Sequence, residues 1–194
     1  MGASIAQWER QELATLLQKL GPNEPTLCAG WMTADLAAHL VIRERRLDAA
    51  IGILGGPLAK WNAKVMTKSA PKFARNIALL RSGAPVWSPF RWLDTQINTI
   101  EMLIHHEDAR RAQPDWVPRD LKAIDRQLWT LVRRMRSFSS RRTGQRVSLA
   151  TPDGRTCGAT SGVKVVGEPM ELLLYLMGRT SAAQVEISVQ GSGG

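Results

Sequence analysis

Along this chain the spacing of apolar residues switches from a helical period to a strand period, and that switch limits what it can fold into. Ile5, Trp8, Leu13, Leu16, Leu17 and Leu20 recur at helical spacing, and Gly21-Pro22 stops the pattern. Thr33 has the chemistry of an N-cap for a second helix, on which Leu36, His39, Leu40, Arg43 and Leu47 fall on or near one face until Gly55-Gly56-Pro57. Leu58 to Leu80 reads as helix interrupted at Pro71, because proline lacks the N–H that the ladder needs. Ser88-Pro89 offers a capping hydroxyl before a proline suited to the first helical position, predicting a helix that runs to about Gln113 and is closed by Pro114. A fifth helix is expected over Pro118 to Phe138, with Leu121, Ile124, Leu128, Leu131, Val132 and Met135 as its apolar stripe.

After Gly144 the period changes. Val147 to Ala150 alternates, Pro152-Asp153-Gly154 is a turn, and Gly162 to Val166 reads as a second strand. Pro169 opens a short helix through Met177 with Gly178 as its stop, and Val185 to Val189 alternates again. Helices and strands are thus segregated, which gives the α+β class: a four- or five-helix bundle followed by a small strand–strand–helix–strand unit. The expected division is a bundle over 1–143, a small α/β unit over 144–190 and a tail over 191–194.

With 44% hydrophobic residues in 194, the chain can build a core without disulfides or a structural metal. Its two cysteines, Cys28 and Cys157, form no CxxC pair, which excludes a zinc ribbon and fits a reducing compartment. Neither has a histidine near it in sequence, so neither is expected to act as a nucleophile. The first residues read as an amphipathic helix and not a leader, and no apolar run approaches the ~18 residues of a membrane span. A cytoplasmic protein is expected. The net charge of +9 is concentrated: residues 114–155 hold ten Lys/Arg against four Asp/Glu, five of the arginines within 133–142. That stretch reads either as a solvated helix end or as a surface for nucleic acid or a small anion, the solvated end being the simpler reading. The tryptophans are assigned to the core by default, those near loops (Trp31, Trp87 and Trp92) being able to line a substrate mouth.

Two of the three histidines lie in Glu101-Met102-Leu103-Ile104-His105-His106-Glu107-Asp108. Glu101 and His105, four apart, share one face of the expected helix, a spacing that suits two ligands of one metal ion. Ile97, Ile100 and Ile104 flank that face, which predicts that it points inward, where an unpaired carboxylate is costly. His39 sits among Leu36, Ala38 and Leu40 on the second helix, so two helices of one bundle offer inward donors. Unliganded core histidines that simply form hydrogen bonds fit the same pattern. His106 points roughly 100° from His105 and is expected at the surface or as an orienting partner, not as a fourth ligand.

The segments TADLAAHLVIRE, WSPFRWLD, EMLIHHED and VKVVGEPMELLLYLMGR together make the chain similar to the mycothiol-dependent maleylpyruvate isomerase family, whose N-terminal domain is a DinB-like metal-binding four-helix bundle. The resemblance covers nearly the whole chain. It implies that His39, Glu101 and His105 hold a divalent metal, usually zinc, with open positions left for substrate. It implies a thiol cofactor, mycothiol or a similar small thiol, deprotonated at that metal and directed at a small electrophile. It also implies an isomerase or thiol transferase. Asp35, Asp108 and His106 are candidates to orient the ligands, and Arg43 and Arg179 to meet an anionic substrate through the bidentate guanidinium fork. The C-terminal unit is expected to be shorter than in the isomerase. A metal-binding sensor or interaction module without catalysis is the competing class.

Overall fold

Helix α1 (Ile5–Leu20) begins at Ser4, where a reciprocal pair of bonds satisfies two exposed donors: the Ser4 hydroxyl accepts from the Gln7 N–H at 3.2 Å, and Gln7 Oε1 accepts from the Ser4 N–H at 3.1 Å. Gly21, at φ 84°, ends it. The computed structural model describes residues 4–46, 48, 58–92, 95–143 and 146–190. These fall into two compact units, Met1–Val117 and Pro118–Gly194.

The first unit continues with α2 (Thr33–Arg45), α3 (Ala59–Ser69), a 3-10 turn (Ala70–Lys72), α4 (Phe73–Ser82), α5 (Pro89–Trp92) and α6 (Thr95–Arg111). Helix α1 packs on α6 and α4, and α2 packs on α4 and α3. Leu13 and Leu17 of α1, Leu36 and Leu40 of α2, Leu80 of α4 and Met102 of α6 are fully buried in one shared core. Polar ties run through it. Arg10 Nη2 on α1 meets Glu44 Oε1 on α2 at 2.5 Å, and His106 Nδ1 on α6 meets Glu9 Oε2 on α1 at 2.7 Å.

Three local expectations are corrected here. Thr33 is the first helical residue and not the cap; its hydroxyl donates to the Gly21 carbonyl at 2.5 Å, joining the two ends of the loop between α1 and α2. Helix α2 closes at Arg45, well before Gly55-Gly56-Pro57, which with Leu47 lies outside the described residues. Helix α6 is buried on almost every side from Met102 to Ala109, whereas Ile97 is 53% exposed. Its buried sides carry charged and imidazole groups as well as apolar ones, which blurs any apolar stripe. The break at Pro71 is the 3-10 turn between α3 and α4.

The second unit holds a 3-10 turn (Lys122–Ile124), α7 (Asp125–Thr143), β1 (Val147–Ala150), β2 (Thr156–Gly158), β3 (Gly162–Val166), α8 (Pro169–Leu176) and β4 (Glu186–Gln190). The sheet runs β2-β1-β3-β4. Strand β1 pairs antiparallel with β2 and parallel with β3, and β3 pairs antiparallel with β4. Leu149 and Val165, partners across β1 and β3, are fully buried, as are Leu172, Leu173 and Leu174 of α8. Helix α7 packs against α8, so it belongs with the sheet and not with the bundle. The expected boundary lies after residue 143, whereas the compact units divide at Val117/Pro118; Leu128, Leu131 and Val132 of the α7 stripe are buried. Strand β2 went unpredicted: its three residues are too few to show a period. Gly158 at its end has φ 110°, and a Cβ there would run into the Val147 carbonyl oxygen. No helix among the described residues is long and apolar enough to cross a membrane.

Candidate metal centre

His39 enters the bundle from α2, and Glu101 and His105 enter it from successive turns of α6. Their donor atoms converge: His105 Nε2 lies 3.5 Å and His39 Nε2 4.0 Å from the same Glu101 Oε2, and all three donors lie within 4.8 Å of one another. The two imidazoles meet edge to face, centroids 5.1 Å apart, with Trp31 against His39 at 5.0 Å. The His39 and His105 side chains are 9% and 10% exposed while that of Glu101 is 27% exposed, so the carboxylate marks the side open to a ligand.

The donor set fits a metal. Nitrogen and oxygen ligands at their usual distances from one tetrahedral ion stand roughly 3–3.5 Å apart, close to the spacing of the pair on α6. Two imidazoles and one carboxylate are also the donor types that such an ion takes. Positive groups surround the carboxylate. Burial works to raise the Glu101 pKa, but His105, Arg43 and His39 outweigh it and set it at about 2. His105 is the counterpart. Burial opposes its charge, yet Asp108, Cys28 and Glu101 around the ring raise its pKa well above that of an ordinary imidazole.

Behind the donors, His105 Nδ1–H donates to Asp108 Oδ2 at 2.9 Å, which leaves Nε2 facing Glu101. The Cys28 thiol donates to the same Asp108 oxygen at 3.2 Å and lies 3.9 Å from His105 Nδ1. Cys28, His105 and Asp108 thus form a second group of donor atoms within 4.8 Å of one another, sharing the imidazole of the first. Sequence reasoning missed this cysteine, because 77 residues separate it from His105. Its loop is brought in by a backbone bond, Leu27 N–H to the Asp108 carbonyl at 3.0 Å, that no spacing rule reveals.

The other candidates are distributed differently. Asp35 Oδ2 accepts from the Met32 N–H at 3.0 Å and so works at the start of α2. His106 is 5% exposed, not at the surface, because α1 covers its side of α6 and brings Glu9 to it. Arg43 Nη1 donates to Asn98 Oδ1 at 2.9 Å and its Nε lies 3.6 Å from Glu101 Oε2; burial lowers its pKa, and Glu101 and Glu44 work in the other direction. Arg179, in the second unit, donates to the Met177 carbonyl at 2.9 Å. Trp8 and Trp61 are 43% and 41% exposed, contrary to their default assignment to the core, since the bundle interior is filled by leucines; Trp87, one of the tryptophans near loops, is 60% exposed. The side chain of Trp92 lies outside the described residues.

Fold and site together define an α+β protein whose helical bundle carries a His–Glu–His donor cluster, its two histidines buried and its glutamate partly exposed. Among solved structures it is similar to the crystal structure of the mycothiol-dependent maleylpyruvate isomerase, with a TM-score of 0.63 and 18% identity over 97% of this chain and 92% of that one. A variant of that isomerase with one histidine replaced by alanine matches with a TM-score of 0.63 and 16% identity over the same shares. The likeness shows a common fold. No family model matches the chain, and no curated protein does.

Proposed function

We propose that this chain is a metal-dependent enzyme of the isomerase or thiol S-transferase type, in which His39, Glu101 and His105 hold a divalent metal, zinc being the one that the family resemblance implies. The observation that carries the reading is the convergence of the three donor atoms within 4.8 Å of one another inside a helical bundle. The fold likeness to a mycothiol-dependent isomerase supports a small thiol, mycothiol or a similar one, as cofactor. When bound, the metal supplies Lewis acidity that favours the thiolate of such a cofactor at neutral pH. The protein's own residues prepare the place. Asp108 orients His105; Arg43, itself held by Asn98, lies beside Glu101; and Trp31 packs against the His39 ring. The substrate is a small electrophile that enters on the exposed side of Glu101. A reducing cytoplasm keeps Cys28 a thiol beside Asp108.

Elemental analysis of purified protein tests the first step: one divalent metal per chain, lost in His39→Ala and Glu101→Ala variants that still fold. Protein free of metal after purification and after reconstitution would falsify the reading. The second step is read on cobalt-substituted protein, where added mycothiol should produce a sulfur-to-cobalt charge-transfer band. Stoichiometric metal with no such band and no turnover leaves a metal-binding sensor or interaction module.

A further inference from the structure

In the second unit, Trp129, Arg133 and Arg136 lie four and three residues apart on α7, one above the next on a single face. Across the sheet, the pairing of Ser148 with Gly158 and with Lys164 sets these three residues in one row over β2, β1 and β3. Helix and row wall a cleft of about 1070 Å³. None of its lining residues belongs to the donor cluster, and none is a carboxylate, although Arg133, Arg134, Arg136, Arg155 and Lys164 all line it.

Arg155 is already matched: Asp125 and Asp153 hold it at 2.7 and 2.9 Å. The side chains of Arg133, Arg136 and Lys164 make no ion pair or hydrogen bond among the described residues. Like charges gathered on a concave wall focus a positive potential into it, and the hydroxyls of Ser148, Thr156 and Thr160 stand beside them as neutral donors. Arginines three apart on a helix have Cβ atoms about 5–6 Å apart, close enough to share neighbouring oxyanions of one molecule.

We propose that this cleft binds a small oligoanion, a molecule carrying two or more adjacent phosphate or carboxylate groups. Concavity favours a compact ligand. A single-stranded nucleic acid needs aromatic faces for its bases, and the Trp129 ring is taken by the Arg155 guanidinium, 5.4 Å from its centroid.

Cys157, half-buried in the same wall, reports on occupancy, and Cys28 in the first unit is the internal control. Arg136 and Arg133 lie near enough to favour the Cys157 thiolate, although burial outweighs them and holds its pKa up, so labelling is run at alkaline pH. The full chain is alkylated with iodoacetamide in the presence of pyrophosphate, citrate or a single-stranded oligonucleotide, and each cysteine is followed by peptide mass. With pyrophosphate or citrate near tenfold its Kd, Cys157 should react about tenfold more slowly, with Cys28 unchanged. Comparison of the two probes separates phosphate from carboxylate preference. An Arg133→Ala/Arg136→Ala variant should need about tenfold more ligand, as expected for two lost exposed ion pairs. The proposal is overturned by no protection from either small anion, by equal slowing at Cys28, by undiminished protection in the double variant, or by protection from the oligonucleotide alone.

Discussion

His105 Nδ1 and Asp108 Oδ2 lie 2.9 Å apart on one turn of α6, both side chains buried. Since Asp108 also accepts from Cys28, the carboxylate sits at the junction of a loop thiol and a helix imidazole and fixes which ring nitrogen faces Glu101.

Asp108→Asn keeps the shape and removes the charge that makes His105 a strong donor. Metal affinity should fall about 10–100-fold, measured by competition with a coloured chelator, while the urea midpoint moves little. Unchanged affinity would assign Asp108 to packing alone.

His106 and Glu9 offer the opposite separation. His106→Ala leaves the Glu9 carboxylate buried without its imidazole, a change that costs about 3–5 kcal/mol when a buried pair loses one member. Equilibrium urea unfolding should show that loss with the metal content of the folded protein intact. Loss of metal with little change in stability would instead make His106 a ligand.

Asp153 gives a pH signature in the second unit. Its bonds from Arg155 and Thr151 hold its pKa at about 2, below the ordinary 3.8. A depressed carboxylate adds stability above its unfolded value and loses it as pH falls through the folded one, so this contribution should fade between about pH 4 and pH 2. NMR titration of the carboxyl carbon should give the low midpoint in the native chain and an ordinary one in Arg155→Met. An ordinary midpoint in both means that the ion pair does not hold in solution.

Gly158→Ala sets a side chain against the Val147 carbonyl at a backbone angle that L residues rarely adopt. A loss of about 1–3 kcal/mol or more is expected in thermal or urea unfolding. A neutral result would mean that β2 is not pinned to β1 at this point.

Much of the chain declares itself by local rules. Val147–Ala150 and Gly162–Val166 coincide with their alternating runs, and Gly21 stops α1, because each depends on neighbours in sequence. Glu101 and His105 meet for the same reason, being one helical turn apart. What sequence hides depends on distant contacts. Cys28 reaches Asp108 through the fold of a loop, and α7 sides with the sheet because of which stripe covers it, a choice that an amphipathic helix does not announce. Strand β2 is defined by its partner β1 and not by its own three residues.

The division at Val117/Pro118 gives the chain a modular character. Cys28, His39, Glu101, His105 and Asp108 all precede it, together with the leucines that hold them in place. None of the atoms of the two donor groups comes from the residues after Pro118. The candidate centre is thus written entirely in the first unit's sequence, and substitutions in the second unit leave its donor list unchanged.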